Sequence, residues 1–315
     1  MFPSDSELNE AARLIRSGRL VAFPTETVYG LGANALDEAA VARIYEAKGR
    51  PATSPLIVHV ASTEAAREIT AEWPELAECL AAKFWPGPLT LVLPKQRAIP
   101  ATVTAGLETV GVRVPGHAVA LGLLERAKVP IAAPSANRFG ELSPTTAAHV
   151  RRSLGDRVDM VLDGGPTDVG IESTVVSVVS LDGPQPVVLR PGMIGIAELE
   201  AATRGIAGVA WGSARTGEMV DNLAKGGGGF ASPGLQARHY APATPLYVLV
   251  PGARLPKGRG RVIEMPAEPI GYANSLYARL HEADGEGWDW IAVHQPPQAP
   301  EWAAIHDRLK RAATG

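Results

Sequence analysis

Four cations in this sequence stand beside turns or inside strand-like runs, where a purely solvated charge is not expected. Lys48 and Arg50 lie in KGRPATSPL, Arg113 in GVRVP and Arg190 in VLRPG. Arg113 sits within an apolar pattern, and a buried guanidinium must meet a carboxylate, reach solvent or face a ligand. Lys48 closes a helical pattern, where a lysine also suits the helix dipole without any function. With Arg50 one glycine away, the two cations equally suit a polyphosphate or carboxylate. Hydroxyls and amides gather in similar places. Thr25 and Thr27 follow a short strand in FPTETVYGLG, while Ser135, Asn137 and Ser143 follow another in APSANRFGELSP. GIESTVVSV brings Glu172, Ser173 and Thr174 to a strand start. Each segment alone reads equally as an ordinary turn. Five polar loops adjoining apolar strands in one domain favour a concave polar site more than any one of them does. Such a set suits phosphoryl chemistry by charge stabilisation better than hydrolysis by a nucleophilic triad.

The standard alternatives are missing from the chain. FPTETVYGLG fits neither GxGxxG nor GxxxxGK[ST], because its glycines follow the polar residues and no lysine follows them. Those glycines are expected to turn the chain between strand and helix. No GxSxG elbow and no HExxH pairing occurs. The one cysteine, Cys79, excludes an intrachain disulfide framework and a cysteine metal cluster, and it suits a reducing cytosol. His59 lies in an apolar strand and by itself reads as a core histidine. A formal charge of −3 gives no general attraction to nucleic acid, although a local basic cleft is compatible with that average. No apolar run reaches membrane-spanning length, so a soluble, cytoplasmic chain is expected.

The elements that must position these residues follow from periodicity. Leu8, Ala11, Ala12 and Ile15 share a helical stripe behind the Ser4/Glu7 capping-box spacing, and Asp37 caps a second helix ending at Lys48-Gly49. Short apolar runs at 20–23, 56–60, 89–93, 110–114, 131–133, 160–162, 174–179 and 187–189 predict strands. Helical stretches at 63 onward, 76–84, 118–126 and 145–154 lie among them. Some neighbouring strands lack room for a crossover helix, which predicts a mixed sheet. The expected organisation is an α/β domain over 1–205, a linker and candidate lid over 206–243, and a small α/β domain over 244–315 with helices at 273–280 and 301–311. Four consecutive glycines, Gly226 to Gly229, sit in the linker. A core as small as that of the last domain depends on docking against the larger one.

Taken in order, PTETVYGLG, KGRP with PL following, FWPGPLTLVL, VGVRVP, APSAN, GIESTVV and VLRPG closely resemble the Sua5/YrdC/YciO family. The long tail, with ANSLYARLHEAD and AIHDRLKRAA, resembles that of its Sua5 members. The resemblance implies a concave mixed-sheet YrdC-like domain followed by a small Rossmann-like Sua5 C-terminal domain. It implies a nucleotidyltransferase that uses ATP, L-threonine and bicarbonate, with Mg²⁺, to make threonylcarbamoyl-AMP and pyrophosphate. That product serves N6-threonylcarbamoyladenosine formation at tRNA position 37, with handover to the transfer machinery; direct tRNA binding and the metal ligands stay open. By the same resemblance, Lys48, Arg50, Ser135 and Asn137 are catalytic. Arg50, Ser54, Thr109, Ser135, Ser143, Arg190, His239 and Tyr240 contact ATP, while Thr27, His59, Arg113, Ala133 and Ser173 contact threonine. Gly30 and Gly32 are left with the turn. The rivals are a non-enzymatic RNA-binding module and a YciO-like protein with a different reaction.

Overall fold

A computed structural model describes residues 2–179, 186–206 and 240–314. The first helix, α1 (Asp5–Arg16), begins where Ser4 accepts from the Glu7 amide and Glu7 accepts from the Ser4 amide. Its buried stripe is Leu8, Ala11, Ala12 and Ile15, as periodicity predicts. Helix α2 (Glu38–Lys48) starts at Asp37, whose carboxylate accepts from the amides of Ala39 and Ala40. It ends at Gly49, which takes the left-handed conformation at φ 62°, so that Arg50 leaves the helix at a defined angle.

The strands of the larger sheet are β1 (Val21–Pro24), β2 (Tyr29–Asn34), β3 (Ile57–His59), β4 (Leu89–Pro94), β5 (Thr109–Arg113), β6 (Ile131–Ala132), β7 (Met160–Val161), β8 (Thr174–Ser177) and β9 (Val187–Arg190). Their order is β7-β1-β2-β6-β3-β5-β4-β8-β9. Parallel pairs (β1/β7, β3/β5, β4/β8) are interspersed among antiparallel ones, so the predicted mixed sheet is what forms. Helix α1 and a later helix, α3 (Ala118–Ala127), cover one part of it around Phe23, Leu123 and Ile131. Helix α2 packs on Leu31, Val58 and Val112 in another part of the core.

The molecule departs from expectation in the β1–β2 hairpin and in the tail. Gly30 and Gly32 do not turn the chain from strand to helix; they lie inside β2, where Gly30 pairs with Phe23 and Gly32 with Val21. The reversal is made by Thr25, whose hydroxyl donates to the Val28 carbonyl at 2.6 Å and accepts from the Thr27 and Val28 amides. The glycines instead permit close packing. A Cβ on Gly32 would stand 2.8 Å from both Ile131 Cγ2 and Phe23 Cε1, and one on Gly30 would stand 3.2 Å from Ala133 Cβ.

The tail differs as well. Its main helix runs over Pro269–Asp284, not 273–280, because Glu268 caps it by accepting from the Gly271 amide and Pro269 fits the first turn. The final helix, Ala303–Ala312, follows a short 3₁₀ turn at Pro300–Trp302. They pack with a three-stranded, all-parallel sheet of β10 (Leu246–Leu249), β12 (Trp290–His294) and β11 (Gly260–Ile263), in that order. One buried cluster joins Val28, Leu142 and Ile171 of the larger unit to Leu246, Tyr277, Ile305 and Leu309 of the smaller, so the two share a core. Most of the expected linker, including His239 and the glycine run, lies outside the described residues.

Candidate active site

The strand ends and the loops beside them enclose a cleft of about 530 Å³, counting the space open to solvent. Thr25, Thr27, Arg50, His59, Arg113, Ala133, Ser135, Glu172, Ser173, Arg190 and Tyr240 line it. All five residues expected to contact threonine are among these, as are Arg50, Ser135, Arg190 and Tyr240 from the nucleotide set. Lys48, Ser54, Thr109, Asn137 and Ser143 stand outside the lining, and His239 lies outside the described residues.

Arg113 extends from the end of β5, is 3 % exposed, and donates to the Gly87 carbonyl at 3.2 Å and to Thr27 Oγ1 at 3.0 Å. Its Nη2 stands 2.8 Å from Glu26 Oε2, yet neither Nη2 nor either Glu26 oxygen forms a hydrogen bond of good angle among the described residues. The pair is thus close in charge and incomplete in bonding. His59, at the end of β3, is buried, and its Nδ1 has no hydrogen-bond partner among the described residues. Burial, and then the Arg113 charge, push its imidazole down to about 3, so it stands neutral beside the cleft.

Arg50 is held by its own loop. Its guanidinium donates to Ser54 Oγ, to the Ser54 carbonyl at 3.4 Å and to the Pro55 carbonyl at 3.1 Å. Burial lowers it to about 10, with Tyr45 and Tyr240 opposing and Arg190 adding to that direction. Arg190, at the end of β9, donates to the Ser173 carbonyl at 3.0 Å and Ser173 Oγ at 3.1 Å, while Ser173 Oγ also bonds Thr90 Oγ1 at 2.8 Å. Tyr240 is buried in the left-handed conformation at φ 63°. Its ring is 6.0 Å from that of Tyr277 and 5.6 Å from the Arg308 guanidinium.

Lys48, Ser54, Asn137 and Ser143, outside the lining, hold residues within it. Lys48 does not pair with Arg50 as a second cation facing the cleft. Its ammonium turns into the 135–137 loop, donating to the Ser135 carbonyl at 2.6 Å and to the Asn137 carbonyl. Burial and then the Arg50 charge drive its pKa well below the usual lysine range. Asn137 donates to the carbonyls of Arg138 and Glu141, closing the same loop. Ser143 donates to Glu172 Oε1 at 2.5 Å. Thr109 lines a separate small cavity with Thr90, Gly111 and Val175.

Sequence reading missed the roles of Glu26 and Arg308. Glu26 is hidden between two threonines, whereas Arg308 carries a usable signal: it interrupts the apolar stripe Ala304, Ile305, Leu309, Ala312 of the final helix. An arginine there must find acidic or carbonyl partners in the core.

Cations and hydroxyls converge from several strand ends of a mixed sheet on one cleft, which defines an α/β protein built around an anionic ligand. A family model described as "Telomere recombination", for Sua5, YciO and YrdC proteins, matches residues 13–192. A second, described as "Threonylcarbamoyl-AMP synthase, C-terminal domain", matches residues 194–314. The threonylcarbamoyl-AMP synthase of Pyrococcus abyssi is 50% identical over 96% of this chain and 93% of its own length. That of Bacillus subtilis is 47% identical over 99% and 94%. A crystal structure of P. abyssi Sua5 complexed with L-threonine superposes with a TM-score of 0.87 at 39% identity, covering 99% of this chain and 96% of that one. The chain belongs to the Sua5/YrdC/YciO family and, because the matches run through both sheets, to its long Sua5 type.

Proposed function

We propose that this chain is a threonylcarbamoyl-AMP synthase, a nucleotidyltransferase that uses ATP, L-threonine and bicarbonate and releases pyrophosphate. The observation that carries this reading is the pairing, in one cleft, of two sets of groups. Thr27, His59 and Arg113 form a set suited to an amino acid, with the neutral imidazole and the threonine hydroxyl beside a fixed cation. Arg50, Arg190 and Ser135 form a set suited to phosphate oxygens, and Ser173, expected at the threonine, adjoins them by accepting from Arg190 at 3.1 Å. That the solved relative from P. abyssi is complexed with L-threonine supports an amino-acid substrate.

The threonine amine takes up CO₂ or bicarbonate as a carbamate, and a carbamate oxygen attacks the α-phosphorus of ATP as pyrophosphate leaves. The carbamate oxygen is itself the nucleophile, the Thr25 and Thr27 hydroxyls bond each other, Ser173 Oγ bonds Thr90, and Cys79 sits on the helix Glu75–Phe84, outside the lining. A covalent enzyme intermediate is therefore not part of the scheme. Arg113 and Thr27 orient the carboxylate and hydroxyl end of threonine, while Arg50 and Arg190 hold the phosphates in line and offset the charge that develops. Lys48 and Asn137 keep the 135–137 loop in place, so their contribution is to the position of Ser135.

Mg²⁺ fits this site as a companion of the nucleotide. Among the described residues no three carboxylate, histidine or cysteine side chains stand together as a cage, and Glu172 is already engaged by Ser143 and Arg308. Held on phosphate oxygens and water, as is its habit, the ion would neutralise phosphate charge. The product then passes to the machinery that places threonylcarbamoyl groups on tRNA. Incubation with ATP, L-threonine, bicarbonate and Mg²⁺ should yield threonylcarbamoyl-AMP by mass spectrometry. Product formed without bicarbonate or CO₂, or only ADP and phosphate, would overturn this reading.

A further inference from the structure

The final helix of the small domain sends one charged side chain into the wall of the cleft. Arg308 is 0 % exposed, the largest fully buried side chain among the described residues. Its Nε donates to Glu172 Oε2 at 2.6 Å, its Nη2 to the Glu172 carbonyl at 3.2 Å, and its Nη1 to the Pro191 carbonyl at 2.9 Å and Asp307 Oδ2 at 2.8 Å. Glu172 immediately precedes Ser173, and Pro191 immediately follows Arg190. One planar guanidinium therefore bridges the two segments that carry those cleft residues. The other Glu172 oxygen accepts from Ser143 Oγ at 2.5 Å, which adds a third segment. Tyr277, also from the small domain, donates to Glu172 Oε2 at 3.2 Å.

Packing does not require this arrangement. Ile305, Leu309 and Ala312 on the same stripe dock the helix by apolar burial alone. A charged group at that position is retained against a desolvation cost that apolar neighbours avoid. Its fork geometry, matched to acceptors on two segments, is what a leucine or a point charge would not supply.

We propose that Arg308 is a positioning residue of the synthase site, acting from the small domain through Glu172 and Pro191 to fix Ser143, Ser173 and Arg190. This rests on the synthase reading above. The small domain then completes the nucleotide-binding half of the cleft. Thr27, His59 and Arg113, on the other half, make none of these contacts, and Ser173 is the one residue of the threonine set that the clamp reaches, so nucleotide use is the more exposed to its loss.

The test compares wild type with Arg308→Lys, Arg308→Met and Ile305→Ala, the last removing apolar packing from the same helix without touching the cleft. Thermal unfolding sets a temperature at which each protein is folded. The KM values for ATP and threonine, kcat, and ATP affinity by calorimetry are then measured there. Arg308→Lys keeps a charge for Glu172 but cannot span both segments. It should raise the KM for ATP about tenfold, in line with other residues that orient a ligand-binding group, and leave that for threonine within about threefold. Ile305→Ala should lower the melting temperature with both KM values unchanged. Arg308→Met should exceed the lysine variant; if it does not fold, the lysine variant decides. ATP affinity of Arg308→Lys equal to wild type, or an equal ATP defect in folded Ile305→Ala, overturns the proposal. Calorimetry separates the two readings: a wild type that binds ATP but makes no threonylcarbamoyl-AMP overturns the synthase assignment, while the difference in ATP affinity still decides the clamp. A wild type that binds no ATP overturns both.

Discussion

Arg50 and Arg113 are both buried, but their anchors differ, and so do the expected effects of losing them. Arg50 is tied to its own loop through Ser54 and Pro55. Arg113 is tied to Gly87 and Thr27 and lies against Glu26. Replacing Arg113 with alanine should raise the threonine requirement more than the ATP requirement, and Arg50→Ala should do the reverse. Each loss of a charge-assisted contact is expected to cost about 2–5 kcal/mol in ligand use. Arg113→Ala also leaves the Glu26 carboxylate buried beside no cation, a defect in stability as well as binding. Arg113→Lys keeps that charge balance, so it should fold like wild type yet rescue threonine use poorly, because an ammonium lacks the two-pronged contact. Substrate titrations in which each variant affects both ligands equally would defeat the division.

The β1–β2 hairpin shows how an element, rather than a motif, places Thr27. Thr25 makes the reversal with its hydroxyl, and β2 then continues along the 134–136 segment, with Leu31 donating to the Pro134 carbonyl and Ala136 to that of Tyr29. This holds the hairpin against the loop that carries Ser135. Gly32 is what allows β2 to lie so close to Phe23 and Ile131, both fully buried. Gly32→Ala should destabilise the protein by roughly 1–3 kcal/mol through overpacking, measured as a lower denaturant midpoint. A midpoint unchanged from wild type would mean that the core yields there without strain. The hairpin is half legible in the sequence: the first strand and the place of Thr27 just beyond it can be read, but glycines next to polar residues look the same in a turn and in a tightly packed strand.

At the scale of the whole molecule, the two units meet through histidines as well as through apolar packing. The rings of His149 and His281 stack with centroids 3.9 Å apart. Arg152 Nη2 is 2.9 Å from His281 Nδ1, and His281 Nε2 is 3.1 Å from the Ser143 carbonyl. These partners require a neutral His281, with Nδ1 accepting from Arg152 and Nε2–H donating to Ser143. Burial first, then the neighbouring His149, push His281 down to about 3; burial, then Arg152, lower His149 to about 4. Asp284 favours protonation only weakly against these. A histidine lowered in the folded state takes up its proton more readily when unfolded, so this stability is full above about pH 6.5 and declines as the medium is acidified. The buried His281 adds a slope of up to about 1.4 kcal/mol per pH unit below that point, and the half-buried His149, screened by solvent, adds less. Between pH 6 and 5, His281→Gln should lose stability less steeply than wild type in denaturant titrations, and identical slopes would refute the assignment. No helix among the described residues is long and apolar enough to cross a membrane.

The sequence by itself determined the helices with caps and stripes, the strand positions apart from β2, the mixed character of the larger sheet and the motifs of the family. Those features depend on neighbours a few residues apart, whose spacing is written directly in the chain. Only the tertiary structure decided which polar residues share the cleft and which stand behind it. Lys48 and Arg50 are two positions apart, yet one turns into loop carbonyls while the other lines the cleft; the separating factor is the fold of residues 135–137, far along the chain. Glu172 and Arg308 are 136 positions apart and meet because the small domain docks over the end of β9. Local periodicity carries no information about such a meeting. It is decided by which charges the shared core buries together, since a buried guanidinium is stable only where acceptors already converge.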